Sequence, residues 1–208
     1  MQTSTKTVFA TIFIALCLFG CGAQPKVAQP VEETINRRWG NGNPSLVLEY
    51  YTLGDYDSYV RKNYAKSGIL KTEETVKDNW LHGPTIHYYN NGRIQLKEEF
   101  VEDIKHGPIK EWYKSGALKS EGEYNNGAMV RYTRYHPNGQ LLLKAPLNAQ
   151  GKLEGRSTEY FDNGVISREG DYINNLKEGE WKIYRNDGSL QGIEVYQQGQ
   201  MIDLKDAS

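Results

Sequence analysis

An excess of charge of one sign is missing from this sequence. Its 25 lysines and arginines meet 26 aspartates and glutamates, a formal net charge of −1, with a pI near 6.4. No global basic field exists to hold a polyanion, which sets DNA and RNA aside as partners. Cysteine is nearly absent, with two in 208 residues. Because Cys17 sits in an apolar stretch near the start, Cys21 has no companion and no disulfide framework can be drawn. Apolar runs long enough to cross a bilayer are lacking too. The stretch from Val8 to Phe19 would rise about 18 Å as a helix, against roughly 30 Å of hydrocarbon. With 38% hydrophobic residues and a mean hydropathy of −0.70, a thick two-layer core would be hard to fill, yet 12% aromatic residues argue against general disorder. The length fits one domain or one repeat array.

Catalytic signatures are missing as well. There is no Walker-type phosphate loop, no Gly-x-Ser-x-Gly elbow and no Cys or His pair at metal-binding spacing. Asp55 and Asp57 with Gly54 fall short of a calcium loop. His82 and His106 share a repeat position two strands apart, roughly 10 Å, too far for one ion. His87 and His136 have no fixed acidic or cysteine companion. No cofactor or metal is expected, and no enzymatic activity.

What is present begins at the N-terminus. Met1 to Gly20 reads as an export signal, with Lys6 ahead of the apolar run. Leu18-Phe19-Gly20-Cys21 resembles the bacterial lipobox, although Phe19 is larger than the residue usual at its place. The resemblance implies lipidation at Cys21 and a diacylglyceryl anchor that holds the protein to a membrane. Gly22 and Ala23 follow the cysteine; in a Gram-negative cell the resemblance implies the periplasmic face of the outer membrane. Residues 21–38 carry no apolar periodicity and read as a flexible tether.

The decisive feature is self-similarity. Gly68, Gly92, Gly116, Gly139, Gly164 and Gly188 recur at about 24 residues, the signature of a repeat array. Four residues before each stands an aromatic, namely Tyr64, Tyr88, Trp112, Tyr135, Tyr160 and Tyr184. Two after each stands an aliphatic, from Leu70 through Leu190. Even spacing is strand spacing and places these side chains on one face. Asn91-Gly92, Asn138-Gly139, Asn163-Gly164 and Asp187-Gly188 suit positive φ, so each unit reads as a β-hairpin, turned through two residues or through three with a bulge. Further glycines fall nine residues earlier at Gly83, Gly107, Gly155 and Gly179; Val130 at that place, with Pro137 and Pro146, marks an irregular unit. Small residues at Gly122, Ala145 and Gly170 leave room for an aromatic to lie across the strand. Residues 39–59 read as a degenerate opening repeat or a cap, 60–202 as the array and 203–208 as a tail.

His106-Gly107-Pro108 with Trp112-Tyr113-Lys114-Ser115-Gly116-Ala117-Leu118, then Glu121-Gly122-Glu123-Tyr124-Asn125-Asn126-Gly127, resemble the MORN repeat. The pattern is more closely similar to the bacterial MORN variant of YwqK-type proteins, which are labelled antitoxins. The resemblance implies an all-β fold, an elongated single-layer antiparallel sheet of about six consecutive hairpins, and a non-catalytic scaffold that binds proteins. Tyrosine suits such a ribbon, packing its ring in a shallow groove while the hydroxyl stays wet. The leading expectation is therefore a membrane-anchored cell-envelope lipoprotein with a protein partner. Neutralisation of an envelope-acting toxin, and glycan or lipid binding by the tyrosine face, are the alternatives. Candidate partner-binding residues are Tyr88, Trp112, Arg131, Tyr132, Arg134, Tyr135, Tyr160 and Tyr184. Within them, Arg131-Tyr132-Thr133-Arg134-Tyr135-His136 interleaves basic and aromatic groups at the irregular unit.

Overall fold

The computed structural model describes the backbone of Ser4–Lys6, together with residue 30 and residues 32–52 and 57–207. Its strands are β1 (Ser4–Lys6), β2 (Glu32–Arg38), β3 (Pro44–Tyr50), β4 (Ser58–Tyr64), β5 (Leu70–Lys77), β6 (Trp80–Tyr88), β7 (Ile94–Val101), β8 (Ile104–Lys105) and β9 (Gly107–Trp112). They continue as β10 (Leu118–Asn125), β11 (Ala128–Tyr135), β12 (Leu141–Pro146), β13 (Gly155–Tyr160), β14 (Ile166–Ile173), β15 (Leu176–Tyr184), β16 (Leu190–Gln197) and β17 (Gln200–Asp206). Each pairs antiparallel with its sequence neighbours in one sheet, β8 and β9 both lying against β7. No helix occurs among the described residues.

Two kinds of turn alternate along the ribbon. In the first, a backbone N–H three residues before a glycine donates to the carbonyl just after it, and the glycine N–H donates back. Gly68, Gly92, Gly116, Gly139, Gly164 and Gly188 all close such turns, with φ between 79° and 100°. The asparagines ahead of them do not take positive φ. Their carboxamides stitch the array instead: the Asn91 Nδ2 donates to the Lys114 carbonyl at 3.2 Å and the Asn138 Nδ2 to that of Asp162 at 2.6 Å. The Asn91 Oδ1 meanwhile accepts the Arg93 N–H, closing its own turn. The second kind is a two-residue turn with positive φ at both positions, at Asp78-Asn79, Glu102-Asp103, Asn126-Gly127, Asn174-Asn175 and Gln198-Gly199. That geometry matches the twist of paired strands.

Several expectations need adjustment. Glu32–Arg38, assigned to the tether, pairs with β3, and residues 203–206 of the expected tail belong to β17. Trp39 to Asn43 carries the same glycine turn as the later units. β1 falls inside the predicted signal; Cys21 and the apolar run lie outside the described residues.

The aromatic and aliphatic positions are register partners, Tyr64↔Leu70, Tyr88↔Ile94, Trp112↔Leu118, Tyr135↔Leu141, Tyr160↔Ile166 and Tyr184↔Leu190, so they share a face as even spacing implies. A register shift falls immediately beyond each pair, and the inserted residue reverses parity for the rest of the strand. The face away from these pairs has a buried midline of Thr85, Glu98, Gly122, Ala145, Ser157, Gly170 and Trp181. Its small residues receive large neighbours. Tyr132 is in register with both Gly122 and Ala145, and the indole of Trp181 covers Gly170. Trp181 is wholly buried, meets Tyr172 edge-on at 5.0 Å and donates its indole N–H to the Asp171 carbonyl.

Candidate binding face

The opposite face carries a single in-register row. From β4 onward it runs Lys62, Glu73, Ile86, Lys97, Lys110, Glu121, Thr133, Lys144, Thr158, Glu169, Lys182, Ile193 and Lys205, each paired with the next. Side chains directly opposite each other in a pleated sheet project to the same side, so this is a continuous charged stripe. Lys62 lies 3.6 Å from Glu73, Lys110 3.7 Å from Glu121, and Arg156 3.1 Å from Glu169.

Three of the predicted tyrosines belong to this stripe. Tyr88 donates its hydroxyl hydrogen to Glu73 at 2.9 Å, Tyr135 to Glu121 at 2.7 Å and Tyr184 to Glu169 at 2.9 Å. Their hydroxyls are thus engaged rather than left to water. Burial and the Glu73 carboxylate push the Tyr88 phenol well above its ordinary value; the hydrogen bond to Glu121 and burial do the same to Tyr135. Burial raises the Glu169 carboxyl, but Tyr184 and the Arg156 guanidinium outweigh it and hold the group below its usual range. Trp112 stands two residues from Lys110 on the same strand and face, and its carbonyl accepts the Tyr89 hydroxyl at 2.7 Å.

The basic and aromatic cluster at the irregular unit is divided between the faces. Arg131 and Thr133 project with the charged stripe, whereas Tyr132 and Arg134 project with the buried midline, because successive residues of a strand alternate. Tyr132 and Arg134 are therefore packing residues, half-buried on the other side. In place of the linear cluster, the structure gathers Arg131, Thr133, Lys144, Pro146, Arg156, Thr158 and Tyr160 around a depression of about 400 Å³.

The sheet opens there for a local reason. β12 and β13 pair only at Leu143↔Glu159 and Lys144↔Thr158, and an isolated bridge at Leu147↔Leu153 closes the gap. Pro146 has no N–H to extend the ladder. Where the period calls for a two-residue turn, the chain makes a wider one from Asn148 to Lys152, closed by Gly151.

Two of the histidines serve the backbone. The His136 Nε2–H donates to the Tyr160 carbonyl at 2.8 Å, and the His106 Nδ1 accepts the Asn126 N–H at 3.4 Å. His87 approaches Glu98 at 3.9 Å on the buried-midline face. Among the described residues no group of three or more His, Cys, Asp or Glu is placed to hold a metal, and no helix is long and apolar enough to cross a membrane.

Lys144, Arg156 and Thr158 were not singled out by the sequence, and Pro146 stood there only as a mark of the irregular unit. The alternation that flags the stripe was nevertheless there: Glu73, Lys97, Glu121, Lys144 and Glu169 each stand five residues after a turn glycine.

A sheet of this kind, one layer thick and built from hairpins of fixed length, defines a repeat scaffold. The MORN repeat variant matches residues 81–102, 105–126, 131–148, 153–174 and 177–198, just over half of the chain, and the protein belongs to that family. Most matched segments run from one two-residue turn to the next, and the shortest coincides with the irregular unit. A search of curated proteins finds no match.

Proposed function

We propose that this protein is a cell-envelope lipoprotein, anchored through acylated Cys21, whose repeat sheet is a non-catalytic scaffold for a protein partner. The observation that supports the binding role is the in-register stripe: charged and aromatic groups repeat along one solvent-facing side across thirteen strands, on the order of 60 Å at about 4.8 Å per strand. Such a face suits an extended interface, with aromatic anchors among polar contacts. Export would remove β1 with the signal, leaving β2 as the first strand of the mature sheet. In a Gram-negative cell the protein would face the periplasm from the outer membrane.

The test replaces Cys21 with serine, recovers the released protein and crosslinks it in its native cell. Stoichiometric capture of one protein through residues of the stripe is the expected result. Capture that maps to the opposite face, or retention by purified peptidoglycan or lipid vesicles with no protein captured, would remove the proposal. Immunity against an envelope-acting toxin is a narrower form of the same role. It requires that deletion sensitise cells to a sibling carrying the toxin, and unchanged survival in competition would eliminate it.

A further inference from the structure

We propose that the depression at the irregular unit binds the carboxylates of an acidic segment in the partner protein, with Lys144 as its central contact. The inference rests on the protein-scaffold reading above and supplies the chemistry of one point on that face.

Three cations from three successive strands meet there: Arg131 on β11, Lys144 on β12 and Arg156 on β13. Strands lie about 4.8 Å apart, so the three together span about 10 Å. Alternate side chains of an extended peptide are spaced by about 7 Å and leave on one side, so two acidic residues separated by one would lie over all three cations. Arg156 is held in place by Glu169 at 3.1 Å and Asp171 at 3.6 Å, and Arg131 by Glu123 at 3.3 Å. Lys144 differs. Its neighbours in the row are Thr133 and Thr158, and among the described residues no carboxylate pairs with it. An incoming carboxylate therefore meets an ammonium that need not abandon an internal partner, with two hydroxyls beside it as further donors. Pro146 and the ring of Tyr160 supply apolar wall. A volume of about 400 Å³ admits a few side chains rather than a folded surface.

The surroundings favour a peptide over a membrane. Glu121, Glu123, Glu169 and Asp171 stand on the adjoining strands β10 and β14, on the same face. A plane of anionic headgroups would have to approach these four carboxylates, whereas a narrow segment reaches the cations between them.

The experiment uses the full chain carrying Cys21→Ser and a labelled peptide of alternating glutamate and glycine, followed by fluorescence anisotropy at low and high salt. Expected are binding that weakens with salt, none by the glutamine counterpart, and an affinity loss of about tenfold or more in Lys144→Glu at an unchanged melting temperature. Lys66→Glu, exposed in the turn between β4 and β5 and outside both the row and the depression, should bind as the parent does. Equal binding of the glutamine peptide, no binding of the acidic one, or equal loss in Lys66→Glu would overturn the proposal. Sedimentation with phosphatidylglycerol vesicles that depends on Lys144 would reassign the depression to headgroups and overturn it as well. A crosslinked partner captured equally by the parent and by Lys144→Glu would remove this site while leaving the scaffold reading intact.

Discussion

Gly170 and Trp181 show how much of this fold rests on single residues. In a one-layer sheet an indole can be buried only by neighbouring strands and side chains of the same face, and Trp181 achieves it by lying across a residue without a side chain. Lys177 caps the arrangement, its ammonium 4.4 Å from the indole centre. A methyl group at position 170 would overlap the ring. Gly170→Ala should therefore cost about 3 kcal/mol, the upper part of the range for overpacking, visible as a lower urea midpoint and a red shift in tryptophan emission. A change of less than about 0.5 kcal/mol, the level of an ordinary surface substitution, would mean that the indole has somewhere else to go.

At the scale of the hairpin, the two turn types divide the work of reversal. Glycine turns need one residue at positive φ and, where asparagine precedes the glycine, use its carboxamide to reach the next unit, while two-residue turns bend through Asp, Asn, Glu or Gln at positive φ. Two substitutions separate these contributions. Gly92 has open space where a Cβ would stand, so Gly92→Ala tests backbone conformation alone and should cost about 1–2 kcal/mol. Asn91→Ala leaves the turn conformation available but removes the stitch to Lys114 and the bond from Arg93, a loss of about 1 kcal/mol at an exposed site. Chemical denaturation should find the double variant more damaged than either single one. Recovery of full stability in Gly92→Ala would show that the left-handed residue is not required.

Across the whole molecule, acid and alkali should act on the same tyrosine and glutamate ladder. Burial pushes up the phenols of Tyr64 and Tyr88, and burial with the Glu49 contact pushes Tyr51 up to about 12. Tyr172, Tyr184 and Tyr196 shift in the same direction, burial again leading. Unfolded tyrosines release their protons near pH 10, while the folded chain retains them. The stabilisation is present below that value and is lost as pH rises from about 10 through the raised folded values. The urea midpoint should therefore fall between about pH 10 and about pH 12, and Tyr88→Phe should flatten the fall. On the acid side Glu169, held low in the fold, contributes stability above its unfolded value that is lost as pH falls through the folded one. An alkaline limb with the same slope in Tyr88→Phe would show that Tyr88 contributes nothing to it.

By itself the sequence determined the repeat, its hairpins and the irregular unit, because a period near 24 residues survives translation into strands and because glycine at a turn announces its own φ. It also contained the alternation of Glu73, Lys97, Glu121, Lys144 and Glu169. Beyond the turn pairs, which side chains share a face was decided by the tertiary structure alone. The bulge beside each aromatic and aliphatic pair reverses parity for the rest of the strand, and alternation along β11 separates Arg131 from Tyr132, which the linear sequence sets side by side. Register across strands then brought Lys144 from β12 between Arg131 from β11 and Arg156 from β13, a meeting of residues up to 25 positions apart. Local propensity sets where a strand turns, but a one-residue shift in pairing decides which neighbours its side chains meet.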